Sequence, residues 1–233
     1  MNLQEAIEAL KSAVAGIVEA ALSDDKTPLG NALALRQAAS LFGTGGDNPD
    51  VVVFGDLNRF KGLNDQLGHE AGDAAIYYVG VLLQERLVAE CQAQAFRRSG
   101  DEFVILLSSQ KLERFKTLAP TFASCEFQFE GETRKTAMSF GYAIGRGEAD
   151  FADLLAKAET ACQIAKSQGD GVCIGWSEEI ERQAVHRFRG RCLNCGAKIM
   201  CDVPRQATPV SRLLSCCVCG EPLADNLPLT QGA

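Results

Sequence analysis

Three acidic residues fall where a fold could bring them together. Asp56 directly follows the β-branched and aromatic run Val51-Val52-Val53-Phe54-Gly55, which reads as a buried strand, so its carboxylate projects from that strand's carboxyl end. Asp101 and Glu102 occupy the polar turn Ser99-Gly100-Asp101-Glu102 between the runs 93–98 and 103–107, which read as a hairpin. If the hairpin neighbours the first strand, three carboxylates converge at one sheet edge. Hard cations such as Mg²⁺ take a few carboxylate oxygens together with water and substrate phosphates. Two such ions clamp the attacking and leaving oxygens of an in-line phosphoryl displacement. Each acid alone has a plainer reading, as a strand-end cap or a polar hairpin turn.

A second set of residues suits a different metal. Cys192-x-x-Cys195-Gly and Cys216-x-x-Cys219-Gly are two knuckles with twenty residues between them. Tetrahedral Zn²⁺ needs four soft ligands, and four thiolates leave no open position, so this ion would be structural. The segment resembles a zinc ribbon. Nothing suggests export, which favours thiolates over disulfides. Cys201 and Cys217 are spare, while Cys91, Cys125, Cys162 and Cys173 lie in apolar stretches and read as small buried hydrophobes.

The elements that must carry these residues belong to a globular chain of 233 residues, 46% apolar and 23% charged, with a net charge of −7. That balance excludes disorder and a collagen-like repeat, and it argues against a surface built throughout to grip nucleic acid. No apolar run approaches a membrane span, and MNLQEAIEAL carries two acids before the first base, so the expectation is a cytoplasmic protein without a membrane anchor. Charge and cysteine divide the chain in two. Residues 1–180 carry 16 Lys and Arg against 26 Asp and Glu, while residues 181–233 carry 7 against 4 and hold six of the ten cysteines. His186, Arg187, Arg189 and Arg191 form a basic approach to the knuckles.

Leu3, Ile7, Leu10, Val14, Ile17 and Ala21 alternate four and three apart, a coiled-coil seam that either lies on its own domain or pairs with a second copy. Beyond it the pattern predicts helices over 59–66, 70–88, 111–122 and 151–167. Strands are predicted over 51–54, 93–98, 103–107, 125–130, 136–144 and 172–176, with a turn at Gly131-Glu132. Interleaved hairpins and helices indicate an α/β chain of the α+β sandwich kind, with a mostly antiparallel central sheet.

The string FGDLNRFKGLNDQLGHEAGD (54–73), followed by RRSGDEFVILL (97–107), resembles the GGDEF family of diguanylate cyclases. DDKTPLGNA (24–32) is similar to that family's opening D-x-L-T-x-L-x-N-R turn, SFGYAIG (139–145) to its S-x-G-x-A strand, and 152–166 to its final helix ending in Lys. The resemblance implies a palm-like nucleotidyl cyclase fold over residues 24–176, preceded by a helix over 1–23 and followed by a basic linker (177–190) and the ribbon and tail (191–233). About 23 residues precede the domain, too few for a sensory module, so control is expected through the helix and the ribbon.

Carried over by the resemblance, Asp56, Asp101 and Glu102 are the catalytic acids. Together with the Leu57 backbone they would hold Mg²⁺ or Mn²⁺, and Glu102 would ligate further or take the 3′-hydroxyl proton. Asn64 and Asp73 would read the guanine edge, Lys61 and Lys166 would hold the β- and γ-phosphates, the backbone over Asn58–Phe60 would cradle phosphate, and Arg97 would touch it. Two GTP would condense into cyclic di-GMP across a homodimer, since each domain supplies half a site. The alternatives are a degenerate GTP-binding or protein-interaction regulator, and a cyclase making a different cyclic nucleotide.

Four departures stand out. Ser99 replaces the motif's first glycine, Asp170 an expected basic residue near the triphosphate, and Asn58 a common second Asp. The inhibitory R-x-x-D site would fall at Glu90 and Ala93 and is absent, so no product feedback is expected there. His69 reads as a loop-ordering residue. The ribbon is expected to dock a protein partner, support the dimer or sense metal or redox state, rather than to bind nucleic acid.

Overall fold

The computed structural model describes residues 2–43, 48–145, 150–183, 185–191 and 198–204. They fall into two compact units that part between Trp176 and Ser177. The first unit opens with α1 (Leu3–Leu22), started by a capping box in which Asn2 accepts from the Glu5 amide at 2.9 Å and donates its own to Glu5 Oε2 at 2.8 Å. No residue of α1 is buried, and Leu3, Leu10 and Ile17 remain 79%, 65% and 69% exposed. Asn31 then works at two helix ends. Its Oδ1 caps α2 (Ala32–Ser40), while its Nδ2 donates to the Ala21 carbonyl at the end of α1. The sequence reading placed only a turn here and missed α2, a helix with the single buried residue Leu35.

The remaining elements are β1 (Val51–Leu57), α3 (Phe60–Leu67) and α4 (His69–Leu82), which runs through a π-helical turn (Leu83–Val88) into α5 (Ala89–Cys91). Next come β2 (Gln94–Ser99), β3 (Glu102–Leu107), α6 (Leu112–Leu118), β4 (Cys125–Phe129), β5 (Glu132–Thr136), β6 (Met138–Ile144), α7 (Phe151–Gln168) and β7 (Cys173–Gly175). Five strands form one mixed sheet in the order β2-β3-β1-β6-β7, antiparallel except for the β6–β7 pair. Val51, Val53, Phe103 and Ile105 face one apolar layer with Ile76, Leu83 and Phe115. Val52, Phe54, Val104 and Leu106 face the other with Leu35, Leu154 and Ala158. Helices cover both faces, which is why β1 and β3 read as continuous apolar runs.

Two expectations need correction. Residues 111–122 are not one helix: α6 is flanked by 3-10 turns at Ser109–Lys111 and Ala119–Ala123, the second with Pro120, which has no amide to continue an α-helical ladder. The strand expected over 136–144 does not pair with the one over 125–130. Its place is taken by β5, which joins β4 in a separate two-stranded sheet, and β6 enters the main sheet beside β1. The turn lies at Glu130-Gly131, both with positive φ, one residue before the expected position. Polar β5 (Glu-Thr-Arg-Lys-Thr) has no place in a sheet buried on both sides.

Burial governs the first unit's cysteines. Cys91, Cys125 and Cys162 are buried free thiols, and Cys173 is half-buried. Desolvation pushes Cys125 up to about 11 and Cys173 up to about 12, and drives Cys162 higher still.

In the second unit, α8 (Glu178–Gln183) leads to β8 (Val185–Arg191), which pairs antiparallel with β9 (Lys198–Pro204). Residues 177–190, read as a linker, therefore carry regular structure. Cys192, Cys195, Cys216 and Cys219 lie outside the described residues. Among the described residues, no helix is long and apolar enough to cross a membrane.

Gly141 of β6 is pressed against backbone: a Cβ there would stand 2.1 Å from both the Ala158 carbonyl oxygen and the Cys162 amide nitrogen of α7. Backbone cannot step aside, so Gly141→Ala is expected to destabilise by about 3 kcal/mol. Gly62→Ala, with nothing within 4 Å of its Cβ, should be neutral or slightly stabilising. Urea midpoints read by circular dichroism check this, and equal midpoints for both variants would remove the constraint.

Candidate active site

The β1–β3 register sets Asp56 directly opposite Glu102, with Ser139 of β6 on the other side of Asp56. Asp101 sits in the β2–β3 turn, where its carbonyl accepts from the Leu57 amide at 3.3 Å. The three acids thus share one sheet edge, as their spacing predicted. Ser99 uses its hydroxyl to donate to Glu102 Oε2 at 3.0 Å, so the serine in place of the motif's glycine holds that carboxylate in position.

Lys166, in the last turn of α7, reaches the same edge. Its Nζ stands 2.6 Å from Asp56 Oδ1 and 3.1 Å from the Leu57 carbonyl oxygen. Burial pushes the Asp56 carboxyl up to about 6; Lys166 opposes that shift, while Asp101 and Glu102 add to it. A cleft of about 80 Å³ opens beside it, lined by Phe54, Asp56, Glu102, Glu159, Cys162 and Gln163. Glu159 is itself paired with Arg98.

Among the described residues, no three His, Cys, Asp or Glu side chains are gathered closely enough to hold a metal unaided. The donor set nonetheless fits a hard cation. The Lys166 ammonium already bridges two oxygens, a carboxylate and a backbone carbonyl, that would serve such an ion. Mg²⁺ completes its shell from water and substrate phosphates.

The β1–α3 connection adjoins this centre. Arg59 has φ 55°, a left-handed conformation that turns the chain into α3, whose start has no side-chain cap. Asp170, which stands where the resemblance expects a basic residue near the triphosphate, is paired: Asn58 Nδ2 donates to its Oδ1 at 2.6 Å and Arg59 Nη2 to its Oδ2 at 2.5 Å. These two bonds hold its carboxyl below the usual carboxylate range. Lys61 is exposed on the first turn of α3.

Phe60 and Asn64 of α3 close on α4 at Gly72. A Cβ there would lie 2.0 Å from Asn64 Oδ1 and 3.1 Å from the Phe60 ring, so glycine permits the approach. Asn64 Oδ1 is buried and has no hydrogen-bond partner among the described residues. Asp73, the next residue on α4, meets Lys26 from the turn after α1, with Nζ 2.6 Å from Oδ1.

Arg97 stands elsewhere. Its Nη1 donates to Asp24 at 3.1 Å and its Nε to the Gly100 carbonyl at 2.9 Å, so its donors are used inside the fold. His69 opens α4 at the surface. The sequence reading missed Lys26, Arg59 and Glu159. For Lys26 a signal existed, because it occupies the leucine position of the D-x-L-T turn.

Comparison with known proteins agrees with this geometry. The family described as "Diguanylate cyclase, GGDEF domain" matches residues 21–171. Diguanylate cyclase DgcP of Pseudomonas aeruginosa is 33% identical over 159 residues, 64% of this chain and 23% of that protein. The probable diguanylate cyclase DgcE of Escherichia coli is 32% identical over 126 residues, 52% of this chain and 11% of that protein. The chain thus spans less than a quarter of the length of these relatives. Among solved structures, the coiled coil and GGDEF domain of DgcB from Caulobacter crescentus, in complex with c-di-GMP, has a TM-score of 0.61 at 21% identity, covering 74% of this chain and 94% of that one. The GGDEF domain of TpbB from Pseudomonas aeruginosa has a TM-score of 0.53 at 27% identity, covering 69% and 97%. A family match over residues 21–171, on a mixed sheet that sets Asp56 opposite Glu102, shows that the chain belongs to the GGDEF family of diguanylate cyclases.

Proposed function

We propose that this chain condenses two GTP into cyclic di-GMP with release of two pyrophosphates, across a pair of copies. The observation that carries the reading is Asp56 facing Glu102 at the sheet edge with the Lys166 ammonium between the Asp56 carboxylate and the Leu57 carbonyl. Asp56, the Leu57 carbonyl, Asp101 and Glu102 are the residues that would hold Mg²⁺ or Mn²⁺. The bound metal would neutralise charge on the α-phosphate. Glu102, held by Ser99, takes the proton of the 3′-hydroxyl as that oxygen attacks the partner nucleotide's α-phosphorus and pyrophosphate departs.

Lys166 passes from Asp56 to the β- and γ-phosphates when nucleotide enters, and Lys61 joins it from α3. Amides at the start of α3 point at phosphate oxygens. Asn64 and Asp73 read guanine. A carboxylate accepts from N1–H and the exocyclic amine, a pattern adenine does not present. The exposed seam of α1 supports pairing of two copies, which raises the effective concentration of the second half-site. The structurally similar DgcB comprises a coiled coil with its GGDEF domain.

In the second unit we propose a structural Zn²⁺ on Cys192, Cys195, Cys216 and Cys219. The paired knuckles support it, as does the β8–β9 hairpin, whose connecting stretch 192–197 contains the first knuckle. Such a unit offers a surface for a protein partner. A neighbouring structure, the diguanylate cyclase SiaD of Pseudomonas aeruginosa, was solved in complex with its activator SiaC.

Three measurements test this reading. Purified protein given GTP and Mg²⁺ should yield cyclic di-GMP by mass-resolved chromatography, and ATP should give no product. Asp101→Ala should abolish turnover and stay folded, because the 101 carbonyl that accepts from Leu57 is retained. Intact GTP with the wild-type protein would instead indicate a nucleotide-binding regulator.

Protons and metal compete for Asp56, whose folded carboxyl titrates at about 6. At limiting Mg²⁺, activity should therefore fall as pH drops through about 6, and excess Mg²⁺ should move that midpoint lower. A midpoint indifferent to Mg²⁺ would remove Asp56 from the metal set. Cys195→Ser should purify without zinc by elemental analysis, and unchanged metal content would refute the ribbon.

A further inference from the structure

We propose that Lys26 is a specificity-determining residue of the base site, its ammonium donating to the 6-oxo oxygen of the guanine that Asp73 holds through N1–H and the exocyclic amine. The inference rests on the reading of Asp73 as a guanine acceptor. Lys26 Nζ lies 2.6 Å from Asp73 Oδ1 across 47 residues of sequence. A carboxylate accepts about four hydrogen bonds, so Asp73 keeps this one and still has lone pairs for the base. The pair then presents a donor beside an acceptor. Guanine offers the complement, an acceptor oxygen beside the N1–H donor. Adenine offers the reverse, an amine donor beside a bare ring nitrogen, so the ammonium faces an N–H and the carboxylate a lone pair. Rejection by repulsion joins selection by attraction.

The fold supplies the rigidity this role needs. The Lys26 amide donates to Asp24 Oδ1 at 3.1 Å, and Thr27 Oγ1 donates to the same oxygen at 2.9 Å. Thr27 is buried against Gly80 of α4, where a Cβ would meet it at 2.6 Å. The backbone of the turn is fixed while the side-chain tip is not: the Lys26 and Asp73 side chains are 39% and 49% exposed. So exposed a pair adds little to stability, which leaves its presentation to a ligand as the reason for its position. Asn64 of α3 packs its Oδ1 against Gly72, the residue before Asp73 on α4, so the two side chains assigned to the base lie in one neighbourhood. An apolar side chain at 26, as in the family's D-x-L-T turn, has no donor to offer.

The test uses the full chain with Mg²⁺ and three non-cyclisable α,β-methylene triphosphates, those of guanosine, inosine and 2-aminopurine riboside, titrated calorimetrically. Inosine keeps the 6-oxo group and N1–H and loses the amine; 2-aminopurine keeps the amine and loses both the 6-oxo group and the N1–H. Lys26→Met should weaken the guanosine and inosine compounds by about tenfold and leave the 2-aminopurine compound unchanged, while Lys26→Arg restores most of the loss. Equal weakening of all three, no weakening, or tighter guanosine binding overturns the proposal. Asp73→Asn separates the two levels. If it leaves the preference for GTP over ATP intact, the guanine reading fails and Lys26 falls with it. If it abolishes the preference while Lys26→Met has no base-selective effect, only the role of Lys26 is lost. Thermal melts of each variant show that the binding changes are not losses of fold.

Discussion

Asp24 is 9% exposed in its side chain, and it remains so because donors converge on it from the Lys26 amide, the Thr27 hydroxyl and the Arg97 guanidinium. Arg97, 11% exposed, also donates to the Gly100 carbonyl in the turn that carries Asp101. One ion pair thus joins the end of α1, the turn that presents Lys26 and the hairpin that presents Asp101 and Glu102. Removing one partner of such a pair leaves a buried charge unmatched, at a cost of about 3–5 kcal/mol. Backbone bonds run beside it, from the Gly30 amide to Ala95 and from the Arg97 amide to Gly30, so the turn is stitched to β2 on both sides. A seam helix attached at this joint is attached to both ends of the nucleotide site.

Charge in the site is arranged in matched couples rather than as free acids and bases. Lys166 lies on Asp56, Arg59 and Asn58 on Asp170, and Lys26 on Asp73. A triphosphate brings several negative charges, and three bare carboxylates would repel it. Lys166 offsets the charge of Asp56, while Asp170, which stands where the resemblance expects a basic residue, is balanced by Arg59 on the adjoining loop.

Much of this was legible in the residues. Continuous apolar runs gave β1 and β3 because both sheet faces are covered, and their antiparallel neighbourhood then brings Asp56 opposite Glu102. What resisted reading depends on long-range partners. The resemblance implies phosphate contact for Arg97, and nothing near it in sequence signals its ion pair with Asp24, 73 residues away. Lys26 looked like an ordinary turn residue because its partner lies 47 residues downstream. β5 was overlooked because its five residues are largely polar, and only a two-stranded sheet outside the main one accommodates them. α2 escaped because Asn31 signals a turn and a helix cap with the same side chain.

The buried thiols have a practical chemical consequence. Alkylating and disulfide-forming reagents react with thiolates, and burial keeps Cys91, Cys125, Cys162 and Cys173 protonated well above neutral pH. Thiols of the first unit are accordingly slow to react while it stays folded, and a slow phase of thiol labelling would count openings of its core.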